Sequence, residues 1–216
     1  MLLDRGGVGP GASSRNAGYL MRGAADNYAA AVRDWGRDVA RALWRLSETN
    51  LEELRALGVG SLASYDARAS CLLALDESEE AELRASAAML AEDGLEVTLA
   101  ESGDDEPWKR GVARLALMNP NDAVVNPREL VDHLRAMVTL PIIEHAEVWT
   151  IDREGARLLV RARGLEIETD RLFCCLNAHA APLGPAFAGP ITPNRGQMPA
   201  CHDRGPPLPH AWSPTP

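Results

Sequence analysis

The 216-residue chain is long enough for one large domain or two small ones, and its 46% apolar and 25% charged residues are ordinary for a globular protein. Its formal charge of −9, from 22 basic and 31 acidic residues, argues against a nucleic-acid partner, because phosphate binding requires clustered Lys and Arg. No apolar run approaches the roughly 18 residues of a membrane span, and no basic and apolar leader opens the chain, so the sequence predicts a cytoplasmic protein without a membrane span.

The chain opens with "MLLDRGGVGPGASSRNAG", in which Gly7, Gly9 and Ala12 spell the dinucleotide fingerprint G-x-G-x-x-A. We interpret this match as a decoy, because few residues precede it and Pro10 lacks the N–H that would face a phosphate. The apolar run before Asp4 instead predicts the end of a buried strand. Asp4 is then either the acid that holds a ribose hydroxyl in a dinucleotide fold, with the true fingerprint upstream, or only the last residue of that strand.

The middle of the chain alternates between helix and strand patterns. After Asp26, a good N-cap, apolar residues recur every three or four positions to about Leu57. This spacing predicts a helix or helix pair that Gly36 weakens and Gly58 ends. A second helix is predicted between two buried strands, the three elements being residues 70–75, 76–93 and 95–100.

Residues 101–125 contain scattered Pro, Gly and Asn and are predicted to be irregular. Asn126 and Pro127 then supply a cap and a first helical residue for an amphipathic helix to about Val138. The apolar run 171–178 predicts a fully buried strand that stops at Asn177. Between that helix and this strand, alternating patterns predict a meander of three strands, residues 146–151, 156–162 and 165–169.

No metal site is predicted. Cys174 and Cys175 are neighbours in the apolar run, where a strand would point them to opposite faces, and Cys201 and His202 have no companions at ligand spacing. No catalytic residue stands out among the remaining side chains. The last 18 residues contain six prolines, so they are predicted to form neither a helix nor a paired strand but a disordered tail.

The opening stretch, with its acid-ended strand and "ASSRNAG", resembles the second-strand region of FAD-dependent oxidoreductases of the D-amino-acid oxidase (DAO) type. Further segments resemble the same family in the same order over residues 1–198: "DAVVNPRELVDHLRAMV", its proline-initiated helix; "HAEVWTI", the strand whose backbone contacts adenine; "LFCCLNAHAAPL", the strand end that returns to the cofactor; and "PITPNRGQM", the strand after it.

This resemblance implies a mixed α/β fold, with a partial Rossmann-like FAD-binding domain and an interleaved antiparallel-sheet substrate domain. On this interpretation the glycine fingerprint lies upstream of Met1, and we expect the chain, taken alone, to bind FAD weakly or not at all. The expected segments are 1–58, FAD-binding with a long helix; 59–125, substrate domain; 126–198, FAD-binding with a helix, the meander and a return strand; and 199–216, the tail.

The resemblance also implies FAD as the cofactor and a set of residues that bind it. A hydroxyl pair and a guanidinium at 13–16 suit a pyrophosphate or the polar edge of a flavin, and we favour this role over the alternative of a capped loop. For Asn177 the alternative is a turn residue. Val148 would act through its backbone. The expected cofactor-binding residues are Asp4, Arg5, Ser13, Ser14, Arg15, Asn16, Val148, Asn177 and Ala178.

The function that the resemblance implies is oxidation of a C–N bond in a small amine or amino acid. Flavin enzymes leave the difficult step to the cofactor, which agrees with the lack of an obvious catalytic triad. The alternative is a non-catalytic truncated remnant that does not bind FAD and acts, if at all, as an interaction module. The sequence indicates no oligomeric state.

Overall fold

The computed structural model describes residues 1–101, 113–183 and 211–214. Its helices are α1 (Tyr28–Trp35), α2 (Arg37–Ala56), α3 (Glu77–Glu92) and α4 (Pro127–Met137), with single 3-10 turns at Ala12–Ser14, Val59–Ser61, Asn177–His179 and Ala181–Leu183. Its strands are β1 (Leu2–Leu3), β2 (Tyr19–Leu20), β3 (Ser70–Ala74), β4 (Thr98–Glu101), β5 (Leu115–Asn119), β6 (Ala123–Val124), β7 (Ile142–Ile143), β8 (Val148–Glu154), β9 (Arg157–Ala162), β10 (Leu165–Thr169) and β11 (Ala211–Pro214).

The chain divides into two compact units. Unit 1 comprises residues 1–15 and 131–201, and unit 2 comprises residues 16–130 and 202–216. The mixed α/β class predicted from the sequence is confirmed, while the predicted four-segment division stays a prediction. Among the described helices, none combines the length and the apolar composition needed to cross a membrane.

Unit 2 is built on a sheet with the strand order β11-β3-β5-β4 among the described residues. β5 pairs antiparallel with both β3 and β4, and β11 runs parallel to β3. Side chains alternate across this sheet, so one face packs against the helices. That face and the helices share one core, which contains Tyr28, Trp44, Leu72, Ala74, Leu83, Leu90, Leu99, Leu115 and Leu117.

The helices of unit 2 begin and end where local chemistry requires. Asn27 caps α1 by accepting a hydrogen bond from the Ala30 N–H at 3.0 Å, one residue later than the predicted cap. Gly36, with φ of 84°, separates α1 from α2, so the predicted helix pair is confirmed. Asp76 caps α3 in the same way, accepting from the Glu79 N–H at 2.9 Å.

Three sequence predictions are corrected by the structure. Residues 115–119, predicted to be irregular, form the buried central strand β5. Residues 171–176, predicted to form a buried strand, are exposed and have no regular structure, because an apolar run forms a strand only where a partner completes its ladder and no described strand pairs with it. Within the proline-rich tail, residues 211–214 pair with β3 instead of remaining unpaired.

Unit 1 contains a parallel pair and an antiparallel meander. Leu2 and Leu3 pair with Ile142 and Ile143 in the parallel pair β1–β7. The meander has the order β10-β9-β8, with a bulge in β8 between Val148 and Thr150, which confirms the three predicted strands. The pair and the meander are joined at the end of β1, where the candidate site lies.

Candidate cofactor site

Asp4 is fixed where β1 ends. Its N–H donates to the Ile143 carbonyl at 3.0 Å, and its own carbonyl accepts from the Ala146 N–H at 2.9 Å, two residues before β8 begins. One carboxylate oxygen, Oδ1, accepts from the Gly6 N–H at 2.8 Å and closes a tight turn. The second carboxylate oxygen has no hydrogen-bond partner among the described residues, so it is available to a ligand hydroxyl.

Glu144 holds the glycine-rich loop that follows Asp4. Its Oε1 accepts from the Val8 N–H at 2.9 Å and lies 3.1 Å from the guanidinium of Arg135. The Val8 hydrogen bond, aided by the charge of Arg135, keeps the pKa of the Glu144 carboxyl below its ordinary value. The His145 N–H also donates to the Gly6 carbonyl at 2.7 Å. Sequence analysis missed Glu144 because Val8 is 136 residues away and no local pattern links them.

The polar cluster at 13–16 forms a loop with one 3-10 turn. The Ser14 hydroxyl donates to the Gly9 carbonyl, and Asn16 Oδ1 accepts from the Gly18 N–H at 2.9 Å in a turn of unit 2. Ser13 is exposed. No long helix begins in this loop, in agreement with the interpretation of Gly7 to Ala12 as a decoy fingerprint.

Two arginines on the loop have exposed guanidinium groups. Arg5 and Arg15 are both exposed, and neither side chain has an ion-pair partner within the described part of the chain. An arginine binds phosphate with a planar fork of N–H donors, so these two residues can contact an anionic group. Their shared loop also carries the carboxylate of Asp4.

The remaining predicted residues also lie in unit 1. Val148 is the first residue of β8 and pairs with Ala162. Asn177 opens the exposed 3-10 turn that includes Ala178, and its φ of 47° is left-handed, which Asn tolerates better than most residues. The 3-10 turn at 181–183 packs against β8. All the predicted residues except Asn16 therefore belong to unit 1.

Sequence analysis also missed a buried polar network in unit 2. The Arg22 guanidinium donates to Glu48 Oε1 at 3.0 Å and to Asn119 Oδ1 at 2.6 Å, and the Arg22 N–H donates to Asp122 Oδ1 at 3.0 Å. The Ser70 hydroxyl donates to the other Asp122 oxygen. Burial raises the pKa of the Asp122 carboxyl, and these donors oppose that effect. The sequence signal for this network is Arg22 itself, a charged residue within the otherwise apolar segment "YLMRGAA".

The site residues of unit 1 fit parts of a dinucleotide. A free carboxylate oxygen at a strand end suits a ribose hydroxyl, and two exposed guanidinium groups suit phosphates. These groups, in a mixed α/β fold, are what a dinucleotide-dependent protein would use. The sequence matches the model of the FAD dependent oxidoreductase family, DAO, over residues 1–216, and the chain belongs to this family, whose cofactor is FAD. The match extends through the proline-rich residues 199–216, where a departure was expected.

Several solved structures have a similar fold. Glycine oxidase from Geobacillus kaustophilus shares 23% identity, covering 84% of this chain and 50% of that one, with a TM-score of 0.64. L-amino acid deaminase from Proteus vulgaris shares 12% identity over 78% of this chain and 39% of that one, with a TM-score of 0.58. NikD, an unusual amino acid oxidase essential for nikkomycin biosynthesis, shares 14% identity over 84% and 46%, with a TM-score of 0.58.

The chain thus spans half the length, or less, of these solved structures. A search of curated proteins finds no match.

Proposed function

We propose that this chain is part of an oxidoreductase that uses FAD to oxidise the C–N bond of an amine or amino acid. The observation that carries the proposal is the family match along the whole chain. Solved structures of similar fold include an oxidase named for glycine and a deaminase named for L-amino acids, which supports this substrate class. Bound FAD would supply the hydride acceptor. We also propose the cytoplasm as the location, on the sequence alone.

In this proposal the residues of unit 1 bind and orient the cofactor. The free oxygen of Asp4 accepts a hydrogen bond from a ribose hydroxyl, and Arg5 and Arg15 contact phosphate oxygens. Ser13 is exposed on the same loop and lines the cofactor side. Glu144 does not touch the cofactor but keeps the loop in place through the Val8 N–H.

Three further residues complete the proposed site. The backbone at Val148 contacts the adenine, next to the bulge that locally interrupts the β8–β9 ladder. Asn177 and Ala178 form the turn that faces the cofactor. Ser14 and Asn16 use their side chains within the loop, so we propose a supporting role for both.

Anaerobic flavin reduction tests the proposed activity. The purified protein is saturated with FAD and mixed with glycine, a panel of L- and D-amino acids, and simple amines, while the flavin absorbance band is recorded. We expect at least one of these compounds to bleach the band. If only a nicotinamide cofactor bleaches it, the protein is a reductase and the proposal is wrong.

The alternative function, a non-catalytic interaction module, is favoured by one observation. Unit 1 exposes large apolar side chains, with Phe173 85% exposed, together with Leu172, Leu176, Met137 and Leu140. Exposed apolar groups of this kind are typical of binding surfaces. A folded protein that fails to bind FAD at saturating concentration, yet associates through these residues, would favour this alternative.

A further inference from the structure

Unit 2 contains a cavity of about 650 Å³, within the range of roughly 300–1,000 Å³ that ligand pockets occupy. One wall is the segment 19–28, which connects β2 to α1. Leu72 and Leu117 line the cavity from the helix-facing side of the sheet, and Trp44 and Leu90 line it from α2 and α3. The cavity is therefore bounded by four elements of one unit and is mostly apolar.

Four charged or amide side chains line this cavity, and three of them make hydrogen bonds. The Arg22 guanidinium is paired with Glu48 at 3.0 Å and donates to the Asn119 amide oxygen at 2.6 Å, while its buried Nε–H has no hydrogen-bond partner among the described residues. Asn27 is used as the cap of α1. The fourth is the half-buried Asp26, whose carboxylate has no hydrogen-bond or ion-pair partner among the described residues. Within the described part of the chain, the unpaired charge at this cavity is therefore the negative charge of Asp26.

Aromatic rings surround the same space. Tyr19, Tyr28 and Trp44 line the cavity, and the rings of Tyr28 and Trp44 meet edge to face with centroids 4.9 Å apart. Gly23 lets the wall approach Trp44 closely, since a Cβ there would lie 2.6 Å from the indole ring, and its φ is 94°. Aromatic faces and a free carboxylate both attract cations, and the apolar walls accept a hydrocarbon group.

We propose that this cavity binds a small organic ammonium ion, an amine whose charged nitrogen meets Asp26 and whose apolar substituent lies between the rings and the leucines. The proposal goes beyond the oxidoreductase assignment, because every residue that carries it belongs to unit 2 and none of them is a proposed FAD contact. It is tested without FAD, so its failure and the failure of the proposed activity are separate results.

The test is calorimetric titration of the purified FAD-free protein with three compounds of nearly equal shape: benzylamine, benzyl alcohol and benzoate. At pH 7 we expect benzylamine to bind with one site per chain, and the neutral and anionic compounds to bind at least about tenfold more weakly, because only the amine offers a charge to the carboxylate. Equal binding of benzoate would instead place the ligand against Arg22 and overturn the proposal.

Substitutions of residues that line the cavity test whether benzylamine binds there. Asp26→Asn keeps the side-chain shape but removes the charge, and we expect it to weaken benzylamine about tenfold or more. The matched control is Asp38→Asn, which neutralises an acid on α2 whose side chain is 92% exposed and which does not line the cavity. Tyr19→Leu, which removes a ring from an exposed position, should also weaken benzylamine binding. It provides the test if Asp26→Asn does not fold. Unchanged affinity in a folded variant of either residue would overturn the proposal.

Discussion

At the scale of single residues, the two oxygens of the Asp4 carboxylate have different tasks. Oδ1 is occupied by the Gly6 N–H at 2.8 Å, so only the other oxygen can meet a ribose. Asp4→Ala should therefore weaken FAD binding by roughly 1–3 kcal/mol, the usual cost of losing a charge-assisted hydrogen bond and the turn it supports. Titration of protein into FAD, followed by flavin fluorescence, measures the change.

Two control variants distinguish the loss of the Asp4 charge from a change in the geometry of the loop. Asp4→Asn keeps an oxygen for the Gly6 N–H, so it should retain the turn and lose only part of the affinity. Asp170→Ala removes another exposed acid of unit 1 and should leave FAD binding unchanged. If Asp4→Ala binds FAD as well as the unmodified protein does, Asp4 merely ends a strand.

Gly18 is required by the close approach of β2 to the chain before α4. Its φ is 76°, and a Cβ added there would lie 2.0 Å from the Val125 carbonyl oxygen, an atom of the backbone that cannot move aside cheaply. We expect Gly18→Ala to lower the free energy of unfolding by about 2–4 kcal/mol, measured by urea denaturation. Gly60→Ala, at a position with open space around it, should change it by less than about 1 kcal/mol, and equal losses in the two variants would contradict this explanation.

At the scale of elements, α1 and α3 are joined by a hydrogen bond from the Tyr28 hydroxyl to Asp93 Oδ2 at 2.7 Å. Burial, with this hydrogen bond, raises the pKa of the Tyr28 phenol from 10.0 to about 12. The folded state thus holds the proton more tightly than the unfolded state. The free energy of unfolding that this group contributes is complete below pH 10 and should be lost as the pH rises from about 10 to about 12.

Denaturation at a series of alkaline pH values checks this expectation. Tyr28→Phe has no phenol to ionise, so its stability should decline less than that of the unmodified protein across this interval. Tyr19→Phe, which removes a hydroxyl from a ring that is 45% exposed, should keep the original decline. An identical decline in Tyr28→Phe would show that other groups cause it.

The same elements show how far sequence patterns predict this fold. Helices α1 to α4 were predicted because caps, glycines and a period near 3.6 residues are local properties. β5 was missed because its short apolar run lies among scattered Pro, Gly and Asn, whereas 171–176 was wrongly predicted because its apolar run was interpreted as buried. A buried strand and an exposed apolar segment have the same continuous apolar composition, and only the presence of partner strands separates them. β5 has β3 and β4, whereas 171–176 has no partner among the described residues.

Among the polar residues described above, sequence patterns likewise predicted those with a local signal and missed those whose partners are distant in the chain. Asp4 was predicted because the acid directly follows its strand, and the resemblance to the DAO family gave it a role. Glu144 and Arg22 were missed because their partners are distant in the chain, Val8 for the first and Asn119 for the second. No local sequence pattern encodes a contact of this kind.

At the scale of the whole molecule, we expect protection against hydrogen exchange to be uneven. β5 lies between two partner strands, with Leu115 and Ala116 fully buried, whereas the amides of residues 172–176 have no hydrogen-bond partner in the described parts of the chain. Exchange followed by mass spectrometry should be about a thousandfold or more slower in residues 115–119 than in residues 172–176. Similar rates in the two segments would mean that residues 171–176 are covered or paired in solution.

The parallel pairing of β1 with β7 affects the order in which parts of the chain can fold during synthesis. β1 is synthesised before residues 16–130 of unit 2, and its partner β7 is synthesised only after them. The Val8–Glu144 contact closes a span of 136 residues, an entropic cost of about 4 kcal/mol that is offset only when β7 and β8 have emerged. Residues 16–130 can thus begin to fold while β1 is still unpaired, and β1 stays a chaperone-accessible segment until β7 has been synthesised.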